Sequence, residues 1–206
     1  MGSKDVPISN PIPLTGGTNA EFEEFTANSE GGLNPVKQPV PGGLVGLTGL
    51  DWLVELLNVE QLKLYAVTEM VGTPDITPNL IEIGLRVHLV NPVLGNGCYV
   101  GTTSDPISLS LTTGTTDPPP PNEPISGVEP TAEFLSGGII DLKNGTYVDN
   151  SFSAPEAGGC TLNLGIPIDI DGLVNSQSGL PSPGGSNETV QNIDTEAVEV
   201  ATVYSE

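Results

Sequence analysis

Positive charge is what this chain lacks most: 5 Lys and Arg stand against 26 Asp and Glu in 206 residues, a formal charge of -21. The five cations, Lys4, Lys37, Lys63, Arg86 and Lys143, are scattered along the sequence. So acidic a chain repels phosphate backbones, which excludes nucleic acid as a partner. Electrostatic docking on anionic lipid fails on the same ground, because it needs a polybasic segment. Long apolar runs are missing too. The best stretch, Leu44 to Leu57, is broken by Thr48, Asp51 and Glu55 and falls short of the ~18 residues that a spanning helix requires, so no transmembrane helix is expected. The acidity reads as solubility through self-repulsion, with an acidic surface for a cationic partner as the alternative.

Histidine is nearly absent. The one residue, His88, lies on the polar side of a strand beside Arg86, and it reads as a surface histidine. A serine or cysteine hydrolase of the usual kind would need that imidazole, and the chain contains no G-x-S-x-G, H-E-x-x-H, P-loop or G-x-G-x-x-G motif. One His and two separated Cys make no zinc shell. Aromatics form only 4% of the chain, with a single Trp. That weakens a paired-carboxylate glycosidase, whose sugar sites lean on aromatic platforms. Its best cluster is Asp51, Glu55 and Glu60 around Trp52, where Asp51 reads more simply as a helix-start acid and Glu55 as a solvated face. Calcium has a weak signal in "IDIDGLVN": Asp169 and Asp171 precede Gly172, but the rest of the loop pattern is missing, and Asp171 as a turn cap with Asp169 facing water is the simpler reading. No catalytic residue, metal ligand or cofactor is expected. Asn144 and Asn187 match the N-glycosylation acceptor pattern.

The thiols are two, Cys98 and Cys160, each in a glycine-flanked, turn-like context. An isolated even pair suits a disulfide in an oxidising compartment, and two unpaired buried thiols in a cytosolic protein are the alternative. No signal peptide is visible in "MGSKDVP", which reads like the start of a trimmed chain and leaves the natural compartment open.

What the chain has in quantity is turn residues and short alternating runs. Gly and Pro make about 22% of it, just under the roughly 25–30% of low-complexity sequence. Ile81, Ile83, Leu85, Val87 and Leu89 alternate with Glu82, Gly84, Arg86 and His88, so residues 80–90 form a half-buried strand with the aliphatics in the core. Residues 107–112 repeat the pattern. Further strands are expected at 20–27, 62–70, 97–101, 138–142, 145–149, 161–166 and 196–204, and short helices at 50–58 and 170–178. The fold class is therefore all-β, an antiparallel β-sandwich or barrel with one or two short helices. Residues 1–206 read as a single β domain. The prolines of 113–126 form a rigid, extended crossover within it.

Several stretches carry a family likeness: "VPISNPIPLTGG", "PVPGGLVGLTGLDWL", "VHLVNPVLGNGCYVGTTSDPISLSLTTGTTDPPPPNEPISG", "YVDNSFSAPEAGGC" and "DGLVNSQSGLPSPGGSN". Together they resemble a family of exported actinobacterial proteins of unassigned function, over most of the chain. The resemblance implies secretion after signal-peptide cleavage and agrees with a Cys98–Cys160 bridge. It supplies no catalytic residue. Precursors of that family carry a signal sequence and a further segment not seen here.

The expected function is binding or assembly by a non-enzymatic secreted or cell-surface protein. The alternative is a carrier of an apolar or lipid-like ligand, and a hydrolase using acids is a third reading. Residues 43–58 are the candidate surface. Gly42, Gly43, Gly46 and Gly49 point to an irregular segment followed by a short helix that buries Leu50, Leu53, Val54 and Leu57. Leu44, Leu47, Trp52 and Leu56 are then the residues that would face a ligand or a second subunit, unless the segment is an internal plug.

Overall fold

The computed structural model describes residues 34–198. Among the described residues strand predominates, at 44% against 14% helix. After β1 (Val36–Pro39) come three short helices, α1 (Gly43–Thr48), α2 (Leu53–Leu56) and α3 (Val59–Leu62). The long hairpin β2 (Tyr65–Ile76) and β3 (Leu80–Val90) follows, then β4 (Tyr99–Val100) and β5 (Ile107–Thr112). β6 (Thr131–Leu135) turns tightly into β7 (Ile139–Asp149). Last come β8 (Ala157–Gly158), the small hairpin β9 (Thr161–Asn163) and β10 (Pro167–Asp169), helix α4 (Asp171–Ser178) and β11 (Thr189–Val198).

Every strand pair is antiparallel. The main sheet runs β1-β2-β3-β5-β7-β11 and curls into a half-barrel. β3 divides its length between two neighbours: Leu80 to Leu85 pair with β5, whereas Val87 and His88 pair with β4, which carries β8 on its other side. β7 is divided in the same way, with its first half against β6 and Val148 against Thr112 of β5.

The aliphatic face of the long hairpin feeds two separate cores. The larger gathers Leu44, Leu47, Leu53, Leu64, Leu89, Leu94, Leu162, Ile170, Val174 and the two cysteines, between the helices and the β3–β4–β8 end of the sheet. The smaller holds Ile81, Leu109, Leu111, Tyr147, Phe152 and Ile193. Ile107 touches both. Of the alternating aliphatics in β3, Ile81 and Leu89 are buried, and Ile83, Leu85 and Val87 are half-buried against one cluster or the other.

Several elements differ from the expectation. Residues 138–142 and 145–149 belong to one strand, because Lys143 and Asn144 form a bulge opposite Asp194 and not a turn. Asn144 sits at φ 58 and its N–H donates to Asp194 Oδ1 at 2.7 Å, where the β7–β11 register shifts. Residues 161–166 split at Gly165 (φ 99) into the β9–β10 hairpin. The strand expected from 62 starts at 65, since Asn58 and Gln61 cap a helical turn over 59–62 with reciprocal hydrogen bonds. The helix expected over 50–58 shrinks to α2, and α1 forms where an irregular segment was expected. Two contacts join the flanks of the proline run: the Thr116 N–H donates to Ile125 O at 2.9 Å, and Thr115 and Ser126 share a hydroxyl contact of 2.7 Å. The strand expected at 20–27 lies outside the described residues, as does 196–204 beyond Val198.

Candidate binding surfaces

The two cysteines meet. Cys98 and Cys160 form a disulfide that spans 62 residues and is buried in the larger core. Closing a loop of that length removes about 4 kcal/mol of unfolded-state entropy in the chain-entropy picture. Asp171 steadies the bridge from behind: its carboxylate accepts the Cys160 N–H at 2.6 Å and the Gly159 N–H at 3.2 Å. Asp169 Oδ1 in turn accepts the Asp171 N–H at 3.0 Å. Asp169 is exposed as expected and also braces the turn, whereas Asp171 reaches back to the cysteine loop and does not cap the following turn. Among the described residues, no group of three or more His, Cys, Asp or Glu is placed to hold a metal ion.

The same lobe carries the 43–58 segment, and the structure divides its four candidates into two pairs. Leu44 and Leu47 are buried, packed into the core by α1 against α4. They are core residues and not surface, because a spacing of three turns both to the same side of α1. Trp52 and Leu56 are 49% and 60% exposed. Val54, expected inside, is 58% exposed, and Val59 on α3 is 71% exposed. A four-residue α2 buries only Leu53 fully, with Leu50 and Leu57 half-buried at its flanks. The four exposed apolar residues Trp52, Val54, Leu56 and Val59 alternate along the sequence with the exposed acids Asp51, Glu55 and Glu60, and helical spacing puts Trp52 and Leu56 on one side of α2. Glu60 bonds Lys63 Nζ at 2.6 Å and holds that ammonium above its ordinary pKa through the hydrogen bond.

Short helices hold an exposed strip only if they are pinned, and buried polar groups do that here. The Thr48 hydroxyl donates to Leu44 O at 2.8 Å and accepts the Leu50 N–H at 3.3 Å, which ends α1. Asn91, 5% exposed, donates through Nδ2 to Gln61 O and Lys63 O at 2.7 and 2.6 Å. Its Oδ1 accepts the N–H groups of Val93 and Leu94. One asparagine therefore ties the end of α3 to the β3–β4 connection.

A second surface lies next to the cysteine-flanking residues Gly97 and Gly159. It is an open groove of ≈ 750 Å³ whose lining includes Arg86, Tyr99, Thr103, Glu156, Asp171 and Asn175. Strand register assembles one wall: Glu69 of β2 is opposite Arg86 of β3, and His88 is opposite Tyr99 of β4. Arg86 Nε donates to Glu69 Oε2 at 2.8 Å, and its guanidinium lies 4.7 Å from the centre of the Tyr99 ring. His88 stacks on the same ring with centroids 4.3 Å apart. The histidine expected at the surface is therefore only 19% exposed, covered by a stack that its own strand could not announce. Asn175 builds the opposite wall by bonding both backbone groups of Ala157, at 2.7 and 3.0 Å.

Of the acceptor asparagines, Asn144 is exposed, but Asn187 is 3% exposed. Its amide donates to Phe152 O and Pro183 O while its oxygen accepts from Ser182 Oγ. It is a structural clamp, closed to modification in the folded chain.

No protein-family model, no curated protein and no solved structure matches the chain. The disulfide fits a protein outside the cytoplasm. Among the described residues no helix is long and apolar enough to cross a membrane.

Proposed function

We propose that the chain is a non-enzymatic secreted or cell-surface protein that acts by binding or assembly through the strip Trp52, Val54, Leu56 and Val59. The observation that carries this reading is the exposure of four large apolar side chains within eight residues, on helices pinned by Asn91 and Thr48. Burying a Val or Leu fully is worth roughly 1.5–3 kcal/mol, so a partner that covers the strip gains an apolar term that the lone chain forgoes. The disulfide and the resemblance to exported proteins support the location.

Native mass spectrometry of the protein recovered from its natural host, compared with a Trp52→Ala, Leu56→Ala variant, tests the proposal. The expected result is a complex in the wild type that the variant loses while keeping its fold. A wild-type monomer that retains a lipid-like mass turns the reading toward a carrier, and a monomer with no bound mass refutes both.

A further inference from the structure

Beside the smaller core, whose Phe152 forms part of its wall, lies a cleft of ≈ 370 Å³, within the size range of small-molecule sites. Ser108 and Ser110 line it from β5, because alternation turns them away from the buried Leu109 and Leu111. Asp149 is the unusual member of the lining. It is 3% exposed, and its carboxylate is braced by backbone: Oδ2 accepts the Ser110 N–H at 2.7 Å and Oδ1 the Ser151 N–H at 2.8 Å. A carboxylate accepts about four hydrogen bonds, so each oxygen keeps capacity for another donor. No cation of the described chain balances it. The ion pairs engage Glu60, Glu69 and Asp141, and the acids that act on Lys63 and Lys143 include neither Asp149 nor Asp117, the second acid of the cleft. Register sets Glu82 opposite Ser110 and Asp75 opposite Glu82, so the row of side chains that leads to the cleft is acidic as well. No Lys, Arg or His is in the lining, whose apolar part is Leu80 and Phe152.

From this arrangement we infer that the cleft binds a primary alkylammonium group, the end of a free polyamine or the side chain of a lysine. The ammonium donates to the carboxylates of Asp149 and Asp117, with serine hydroxyls as further acceptors, while the alkyl stem lies along Leu80 and Phe152. A buried charge is costly unless it is paired, and this ligand supplies the pairing that the described chain does not. A neutral polyol leaves both acids uncompensated. A divalent metal ion fits worse, since no group of three or more His, Cys, Asp or Glu is placed to hold one among the described residues.

The test titrates the full, oxidised chain by calorimetry with putrescine and with Nα-acetyl-lysine amide, and uses butanediol and tetramethylammonium as controls. Both amines are expected to bind. Butanediol, which lacks the charge, and tetramethylammonium, which lacks N–H donors, are expected to fail. Tighter binding of putrescine assigns the cleft to a free polyamine, and tighter binding of the blocked lysine assigns it to a protein side chain. Asp117→Asn and Ser110→Val alter exposed side chains and should leave the thermal midpoint in place. Asp117→Asn should weaken putrescine binding about threefold to fivefold, against less than about twofold for Glu55→Gln, which makes the same charge change on α2. Ser110→Val narrows the cleft without changing its charge and should abolish binding. Equal weakening by Asp117→Asn and Glu55→Gln would mean attraction to net charge alone and overturn the proposal. So would wild-type binding by Ser110→Val, equal binding of butanediol or tetramethylammonium, or no binding of either amine.

Discussion

The disulfide lobe and the sheet lobe share one continuous sheet yet are stabilised by different means. In the disulfide lobe the interior is aliphatic, with Leu44, Leu53, Leu64, Leu162, Ile170 and Val174 at or near zero exposure, and a covalent bridge runs through it. The sheet lobe has a small apolar core and a buried polar layer beside it. Asp149 accepts the N–H groups of Ser110 and Ser151 at 2.7 and 2.8 Å, and Asn150 Nδ2 donates to Glu123 O at 2.8 Å. Asn122 reaches Asn150 O and Asn187 O at 2.9 and 2.8 Å. A chain with few aromatics and many prolines and glycines has too little apolar volume for two full cores. The second is completed by amides and carboxylates that satisfy the backbone of the loops.

The difference predicts unequal responses, largest first for the covalent tie. Cys98→Ser with Cys160→Ser should cost about 4 kcal/mol. Hydrogen exchange should show protection falling in β4, β8 and α4 well before β5 and β7. Equal loss in both lobes would mean that the comparison is wrong.

A contrast within α2 sharpens it. Leu53→Ala, at a fully buried site, should cost about 2–5 kcal/mol, whereas Leu56→Ala should fall within about 0.5 kcal/mol of wild type in denaturant unfolding. In the sheet lobe, Asn187→Ala should cost about 1–3 kcal/mol by leaving Phe152 O, Pro183 O and Ser182 Oγ without their partner.

A smaller loss than at Leu53 or Asn187 is expected at Tyr147, whose hydroxyl donates to Pro78 O at 2.7 Å. Burial pushes its pKa up, so the folded state holds the phenol proton more tightly than the unfolded chain does. That contribution is complete below the ordinary tyrosine range near pH ~10 and is lost as pH rises through the folded value. Tyr147→Phe should lose about 0.5–1.5 kcal/mol at neutral pH and unfold with a weaker alkaline dependence. An unchanged alkaline slope would remove Tyr147 from the account.

Alternation made β3 and β5 legible, because a strand with one buried face writes its period into the sequence, and both were read at their observed bounds. Helix α4 was legible from the acid at its start and Gly179 at its end. β6 was not, since "TAEFL" buries nothing and therefore has no pattern to show. Helix α1 was hidden by its glycines: Gly42 and Gly49 bound it in left-handed conformations, while its interior is set by burial of Leu44 and Leu47. The surface residues of 43–58 were half legible, because helical spacing separated Trp52 and Leu56 from Leu53 but could not reveal how short α2 is. The Arg86–Tyr99–His88 stack and the Asn91 and Asn175 clamps depend on which strands become neighbours. No local pattern encodes that.

Because Trp52 is the only tryptophan, its fluorescence reads the proposed surface directly. The decisive measurement is acrylamide quenching of Trp52 in the dilute, oxidised chain and again in the complex recovered from the natural host. The account predicts an accessible indole in the isolated chain and a shielded one in the complex, with Leu56→Ala restoring accessibility. A Trp52 already shielded in the isolated chain, or equally quenched in both states, would contradict it.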